Sequence, residues 1–435
     1  MLSRVSNKLL ENIQLLIDKS KIDKLKIKNM SSTQTTKRLL ERLIREFFLV
    51  QNLTSEYLTN IPKMRETINI RGSNSDKIDD LIREFLHNNN YLNSSIYQFI
   101  KNSNCIVLRY YFNFGREYII NFYIYDNLSI RHLCRVYDKY VHHIMTMLFF
   151  LEKYRSKSCQ SQKLEVIFFM TPFEKNLPES RSEILGGQHV NGGYTIPCQH
   201  HSKIFIWRKE EFFKVLIHES IHSMGIDIST MNLDKIHDNI MTLFPLNPDQ
   251  STFNIGEAYT EFWTEIINII YCLVIYANSL KSHPSIPSLI KKFDRLYFLE
   301  NIWGLTRSIL ILKHMGLTYQ DLVSHNPEKL LLYKERSNFF SYFIMKMVFI
   351  SNHNEFIELC IKNNDDLILV INTIDNKKNE KILHHIFLFI KQHYMNANLM
   401  GNYEILYDEL IKSKYRSKTY NRLISSLRMS CIDYL

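Results

Sequence analysis

The sequence is short of the two residues that most often interrupt regular structure, with 11 glycines and 9 prolines among 435 residues. This scarcity predicts a chain dominated by helix, with few long flexible linkers. The chain also lacks a CxxC pair, and its seven cysteines are scattered and odd in number. We therefore expect no disulfide framework and a reducing compartment.

We expect no apolar run of this sequence to span a bilayer. The most apolar window, Ile266 to Ala277, is interrupted by Asn268 and fits a buried core helix better. The first residues are mixed and charged, without the apolar core of a signal peptide. These features predict no membrane anchor and an intracellular location. The Ile-, Asn- and Lys-heavy usage is typical of AT-rich genomes such as those of large DNA viruses, for which the location would be the host cytoplasm or the virion.

The bulk composition describes a folded, basic protein. Hydrophobic residues make up 45% of the chain and aromatic residues 13%, enough for a sizeable core, and the net charge is +10. A basic balance admits a nucleic-acid-binding protein as one hypothesis. The lysines and arginines are spread along the chain, however, and no nucleic-acid module is recognisable, so a solvated surface is favoured.

Three regions follow from the distribution of helix and strand signals. Residues 1–100 are predicted to be a helical N-terminal region, 101–280 an α+β core, and 281–435 a helical C-terminal region. Within the core, β-branched and aromatic runs predict a hairpin, a strand and a second hairpin, with a long helix after the first hairpin. The predicted elements are, in order, strands Cys105–Phe112 and Tyr118–Tyr125, helix Ile130–Lys153, strand Lys163–Met170, and strands Tyr194–Pro197 and Lys203–Trp207.

The stretch from Val215 to Gly225 contains His-Glu-x-x-His within a predicted helix. His218 and His222 are four residues apart, so they project from one face and can both reach one Zn²⁺ at about 2.0–2.1 Å. Glu219 lies beside them and can act on a metal-held water. Glu210 and Glu211 are expected in the first turn of this helix, where carboxylates favour the helix dipole, and Gly225 is expected to end it.

A second strong helix is predicted to begin at Asn254. It carries three glutamates, Glu257, Glu261 and Glu265, at i, i+4 and i+8, and therefore on one face. Apolar residues occupy the opposite side. Because the continuation of this helix is very apolar, we expect the helix to be buried, where unpaired carboxylates are costly.

Together these two helices make the chain resemble the zincin metallopeptidases, and among them the gluzincins of the thermolysin and neprilysin groups. The pattern Glu257-x-x-x-Glu261 is similar to the gluzincin Glu-x-x-x-Asp, with Glu in place of Asp. The resemblance implies that Glu257 is the third zinc ligand and that Glu261 orients a zinc-binding imidazole. The neighbouring register, with Glu261 as the ligand and Glu265 behind it, stays open.

The metzincins offer a rival third ligand. Their motif continues with x-x-Gly-x-x-His, and this chain shares the glycine as Gly225. The residue three positions later is Ile228, which cannot bind zinc, and Asp227 comes one position early. This departure disfavours a metzincin site.

The zincin resemblance also implies a mixed sheet whose edge strand precedes the active-site helix and binds an extended peptide substrate. Ile204 to Trp207 is the candidate for that strand, with Asn191 to Thr195 nearby. Gluzincins further use a later His or Tyr to stabilise the oxyanion, for which the C-terminal candidates are Tyr333, Tyr342, His384, His385 and His393. His189, His200 and His201 lie in loops near the predicted edge strand and are candidates for substrate contact.

The function implied is a zinc-dependent metallopeptidase in which Glu219 is the general base. A catalytically inactive zincin-fold protein, such as a structural or virion component, would keep the metal without cleaving peptides. A non-peptidase zinc hydrolase would use the same site for another reaction.

Overall fold

The computed structural model describes residues 3, 6–11, 25, 31–60, 64–70, 92–363, 376–412 and 424–434. Parts of the predicted N-terminal helical region, including residues 12–24 and 71–91, lie outside the described residues. The protein is a mixed α+β structure, as predicted.

The regular elements are numbered here in chain order. The strands are β1 (Met64–Ile70), β2 (Cys105–Asn113), β3 (Glu117–Ile124), β4 (Lys163–Met170), β5 (Gly193–Thr195) and β6 (His201–Ile206). The helices up to residue 314 are α1 (Gln34–Asn60), α2 (Ser94–Asn102), α3 (Ile130–Glu152), α4 (Gly187–Val190), α5 (Phe212–Ser223), α6 (Asp234–Leu243), α7 (Ile255–Asn278) and α8 (Ile286–His314). The later helices are α9 (Tyr319–Val323), α10 (Pro327–Leu330), a π-helix (Phe340–Met345), α11 (Lys346–Ser351), α12 (His353–Asn363), α13 (Asn376–His393) and α14 (Ala397–Lys412).

The chain forms two compact units. The sheet unit takes residues 46–175 and 190–226, and the helical unit takes residues 1–45, 176–189 and 227–434. The three-region division at about residues 100 and 280 stays a prediction of the sequence.

The sheet unit is built on one six-stranded sheet in the order β1-β2-β3-β4-β6-β5. The hairpin expected around Asn113 is confirmed, because β2 and β3 are antiparallel neighbours. β3, β4 and β6 run parallel to one another, and α3 supplies the crossover that a parallel β3–β4 connection requires. β5 pairs antiparallel with β6, with Tyr194 opposite Phe205, as the second predicted hairpin requires.

Helices cover both faces of this sheet. On one face, Phe122 of β3 stacks on Phe168 of β4, and Tyr137 of α3 and Phe212 of α5 contact these two rings. On the other face, Ile96 and Ile100 of α2 belong to an apolar cluster with side chains of β2, β3, β4 and β6. Central strands buried on both faces explain why β3 and β4 have near-continuous apolar sequences. The sheet therefore supplies the rigid base on which α5 lies.

The predicted edge strand was wrong. Ile204 to Ile206 belong to β6, which lies between β4 and β5, so the last strand of the described sheet is β5. The error has a physical cause, since β5 has three residues and begins with a glycine, which gives a weak strand signal. The strongly β-forming run before α5 is an interior strand.

The helical unit packs α7, α8, the π-helix and α11 against one another. The segment from residue 426 to 433 is buried among them, and its backbone carbonyls accept hydrogen bonds from core side chains. Trp303 Nε1 donates to Arg428 O at 2.9 Å, and Asn268 Nδ2 donates to Ile432 O at 2.8 Å. Asn268, which interrupts the most apolar window, is thus satisfied inside a core.

One described helix, α7, is long and apolar enough to cross a membrane by length and composition alone. Its apolar window is entirely buried in the structure. The core helices of soluble proteins pass the same test, so the finding is weak support for a membrane span.

Candidate metal centre

The two histidines of α5 converge on one point. Nε2 of His218 lies 3.1 Å from Nε2 of His222, and both residues are 7% exposed. Zn–N bonds of about 2.0–2.1 Å place two ligands of a tetrahedral zinc about 3.3 Å apart. The two imidazoles therefore stand close to the spacing that a shared metal ion requires.

The position of α5 is set by burial on all sides. Each residue from Phe212 to Ser223 is buried, and the helix packs against β5, β6 and α3. Gly225 has φ +59°, and the amide of Ile226 donates to Ile221 O at 3.0 Å, so the helix ends at a left-handed glycine, as predicted.

The start of α5 differs from the expectation. Glu211 is not in the first turn: it precedes the helix in a left-handed conformation with φ +56°. Its buried carboxylate accepts a hydrogen bond from Lys175 Nζ at 3.1 Å, and Glu210 accepts one from the Lys175 amide at 2.6 Å. Burial lowers the pKa of Lys175, and the neighbouring Glu211 opposes that change. The acidic pair therefore anchors the preceding loop instead of favouring the helix dipole.

Glu219 lies against the last strand of the sheet. A Cβ atom added to Gly193 would stand 2.8 Å from Glu219 Oε1 and 2.6 Å from Val215 Cγ1. Only a residue without a side chain allows β5 to approach α5 this closely. The sequence analysis missed this role of Gly193, although the Gly192-Gly193 pair was a signal for close backbone approach.

The backbone of β5 is directed by its pairing with β6. The amide of Trp207 donates to Gly192 O at 3.0 Å, and Tyr194 pairs with Phe205 two residues further on. Because hydrogen-bonded and non-hydrogen-bonded positions alternate in antiparallel pairs, the N–H and C=O groups of Gly193 and Thr195 point away from β6. Gly193 lies next to Glu219, and the outward groups of both residues match the pattern by which a strand edge pairs with an extended peptide.

The three glutamates of α7 have different surroundings. Glu257 is partly exposed in the first turn, whereas Glu261 and Glu265 are each 1% exposed. Glu265 Oε1 accepts a hydrogen bond from Lys346 Nζ at 2.5 Å. Burial alone would lower the pKa of Lys346, but the charges of Glu265 and Glu261 outweigh burial and raise this pKa above its usual value. The carboxylate of Glu265 is thus held in a buried ion pair.

Glu257, the third ligand that the sequence predicts, lies in the first turn of α7 in the helical unit. Two imidazole nitrogens and one carboxylate oxygen are the ligand set of a catalytic zinc that keeps one position open. The same donors also suit other first-row metals, so the ligand types fit zinc without selecting it alone.

Asp227 is engaged elsewhere in the helical unit. Its Oδ2 accepts hydrogen bonds from Thr260 Oγ1 at 2.9 Å and from Ser229 Oγ at 2.8 Å. Asp227 therefore holds α7 one turn after Glu257, and Ile228 beside it is fully buried. These contacts make Asp227 a polar support for α7.

The structure gives local partners to several of the predicted oxyanion and substrate candidates. Tyr333 donates to Glu335 at 3.1 Å, His385 Nδ1 lies 2.9 Å from Asn363 Oδ1, and the His393 ring lies 4.4 Å from the Phe389 ring. His189 Nε2 lies 3.0 Å from Glu183 Oε1. Of the others, Tyr342 is partly buried in the π-helix, and the exposed residues are His200, His201 and His384. None of these contacts assigns a catalytic role.

The structure also contains a disulfide that the sequence analysis did not expect. Cys159 and Cys198 are bonded, with Cα atoms 4.4 Å apart and a sequence separation of 39. Spacing along the chain gives no sign of this pair, because the two cysteines meet only through the fold of the sheet unit.

Comparison with known proteins gives a partial similarity and no activity. No family model and no solved structure matches the chain. A similar protein is the uncharacterized protein R210 of Acanthamoeba polyphaga mimivirus, which is 27% identical over 120 residues. The match covers 28% of this chain and 28% of that protein's length.

Proposed function

We propose that the protein is a zinc-dependent metallopeptidase of the gluzincin type. The observation that carries this proposal is the pair of His218 and His222 on α5, whose Nε2 atoms lie 3.1 Å apart. His218 and His222 would hold the metal through Nε2 and Glu257 through a carboxylate oxygen. Glu261 is proposed to orient an imidazole of the site, as the resemblance implies.

Zinc, when bound, would lower the pKa of a water towards about 7 and polarise the carbonyl of the scissile bond. The chain's own part begins with Glu219, whose carboxylate accepts the proton of the attacking water and passes it to the leaving amine. Its burial beside Gly193 holds the carboxylate in one place and keeps bulk water away.

Substrate is proposed to bind as an extended peptide along β5. The outward N–H and C=O groups of Gly193 and Thr195 would pair with the peptide backbone and bring a scissile bond next to Glu219. This mode uses main-chain groups for affinity, so side-chain specificity would come from residues around the strand.

A viral origin and a location in the host cytoplasm or the virion belong to the same proposal. The composition and the partial similarity to a mimivirus protein support the origin. The location is proposed together with that origin.

The proposal is tested by Glu219→Gln. Because the amide cannot accept the proton but keeps the size of the carboxylate, peptide hydrolysis should fall by about 10²–10⁴-fold while zinc stays bound. Cleavage of a denatured-protein digest, followed by mass spectrometry, gives the rate, and elemental analysis gives the zinc content. Glu183→Gln, a partly exposed carboxylate outside the proposed ligand set, is the control and should cleave at the wild-type rate.

Two results would reject parts of the proposal. Equal turnover in Glu219→Gln and wild type would remove Glu219 from the mechanism. Zinc bound to a wild-type protein that cleaves no peptide in the digest would favour the non-catalytic alternative.

A further inference from the structure

The disulfide between Cys159 and Cys198 lies at the end of the helix that carries the two histidines. Cys159 follows α3 and is 1% exposed, whereas Cys198 is partly exposed in the loop between β5 and β6. Both belong to the sheet unit. The bond therefore joins the turn after α3 to the loop that follows the proposed substrate strand.

Backbone hydrogen bonds connect both sides of the disulfide to the last turn of α5. The amide of Cys198 donates to Ser223 O at 3.2 Å, and the amide of Ser156 donates to Met224 O at 3.0 Å. The Cys159 amide in turn donates to Ser156 O at 3.0 Å. The first two bonds satisfy carbonyl groups that α5 leaves without helical partners at its C-terminus.

Both sulfur atoms also pack against Gly225, the left-handed residue at the C-terminal end of α5. A Cβ atom added to Gly225 would lie 3.0 Å from Cys198 Sγ and closer still to Cys159 Sγ. Cys198 itself has φ +55°, a left-handed conformation that is unfavourable for a residue with a side chain. The disulfide and the hydrogen bond to Ser223 O hold Cys198 in this conformation, and Ser223 directly follows His222 in the chain.

We propose that Cys159 and Cys198 form a reversible thiol–disulfide site that fastens the C-terminal end of α5 and thereby regulates metal retention by His222. That the disulfide holds the end of α5 follows from the geometry alone, whereas its effect on metal retention rests on the proposed function. A reducing environment would release the helix end and the β5–β6 loop together.

The chemistry needs a dithiol reductant. Its thiolate attacks Sγ of Cys198, which is the more exposed sulfur, and the S–S bond breaks as Cys159 leaves with the electron pair and takes up a proton. The second thiol of the reductant then attacks the mixed disulfide and releases Cys198 as a thiol. The protein gains two electrons and two protons, and the reductant leaves as a disulfide.

The test compares the full chain after incubation with oxidised glutathione and after incubation with dithiothreitol. Thiol titration of the denatured oxidised chain should find the five cysteines outside the bond, Cys105, Cys134, Cys272, Cys360 and Cys431. After reduction it should find all seven cysteines of the sequence.

Two further measurements report the consequence of reduction. Hydrogen exchange of the amides from 221 to 226 should become about tenfold faster, because local opening no longer strains a cross-link. Zinc loss to a chelator should accelerate by about the same factor, since His222 lies in the released turn.

Matched variants separate this site from general effects of the reductant. The double variant Cys159→Ser/Cys198→Ser should show fast exchange under both conditions, and Cys134→Ser, on α3 of the same unit, should keep the full redox response. Seven titratable thiols in the oxidised chain, or equal hydrogen exchange before and after reduction, would overturn the proposal that the disulfide holds the end of α5.

Faster hydrogen exchange with an unchanged rate of zinc loss would overturn the proposed regulation of metal retention. A chain that binds no zinc in either state would reject the proposed function, and the exchange data would still decide whether the disulfide holds the end of α5.

Discussion

The two helices that carry the candidate ligands place their polar side chains in different ways. α5 is short and buried throughout, and the position of its histidines is set by what packs against the helix: Gly193 beside Glu219, and the disulfide beside Gly225. α7 is twice as long, begins with Asn254 accepting from the Gly256 amide, and carries glutamates at regular spacing. On α5 the spacing of the motif alone brings two ligands together. On α7 the same spacing leaves three carboxylates with different partners, so the surroundings of each glutamate decide what it can do.

The largest expected effect tests whether Glu257 and Glu265 have different roles, the first in metal binding and the second in stability. Glu265→Gln leaves Lys346 buried without its carboxylate, so the free energy of unfolding should fall by about 3–5 kcal/mol while zinc content stays at the wild-type value. Denaturant unfolding and elemental analysis measure the two quantities. Glu265→Gln combined with Lys346→Met is the control and should recover much of the loss, because both buried charges are then removed. Loss of zinc with little loss of stability would show that Glu265, and not Glu257, belongs to the metal site.

A smaller effect tests the close approach of β5 to α5. Gly193→Ala adds a methyl group within 2.8 Å of Glu219, so the carboxylate or the strand must move. We expect kcat/KM for peptide cleavage to fall by about tenfold or more with zinc retained, since small displacements of a catalytic group are costly.

Gly192→Ala is the matched control for this variant. Its added methyl would lie 3.3 Å from Val215 and away from Glu219, so its effect should be several-fold weaker. Equal rates for wild type and Gly193→Ala would contradict the role of this contact.

The smallest effect concerns a buried carboxylate of the helical unit held by hydrogen bonds instead of a lysine. Burial raises the pKa of Glu335 to about 8, although hydrogen bonds from Phe340, Tyr333 and Phe339 lower it in part. A carboxyl whose pKa is raised on folding stabilises the fold most below its unfolded pKa, and this contribution is lost as pH rises towards about 8. The melting temperature should therefore decline between pH 5 and pH 8.5, and Glu335→Gln should flatten that part of the profile. An identical slope in the variant would exclude Glu335 as its source.

Much of the architecture followed from local sequence patterns. Runs of β-branched and aromatic residues predicted β2, β3 and β4, and helical spacing predicted α3, α5 and α7, because these elements are long and strongly patterned. The left-handed stop at Gly225 was also predicted, since glycine after a periodic run has one common use.

The features that were not predicted depend on contacts between distant residues. Lys346 meets Glu265 across 81 positions, and Cys159 meets Cys198 across 39. That β5 and not β6 is the last strand depends on the order of strands in the sheet, and a strand of three residues is too short to predict that order. The conformation of Glu211 depends on Lys175, which is 36 positions away. Spacing rules describe one element at a time and therefore miss such pairings.

Metal content of the wild type beside Glu257→Gln and Glu261→Gln tests whether His218, His222 and Glu257 bind zinc. After zinc loading and dialysis, we expect about one zinc per chain in wild type, as a single His/His/Glu site requires. Glu257→Gln should lose the metal, and Glu261→Gln should keep it with affinity weakened by about 10–100-fold, as changes to residues that orient a metal ligand do. Wild-type protein without zinc after loading, or zinc retained at full affinity in Glu257→Gln, would contradict this ligand set.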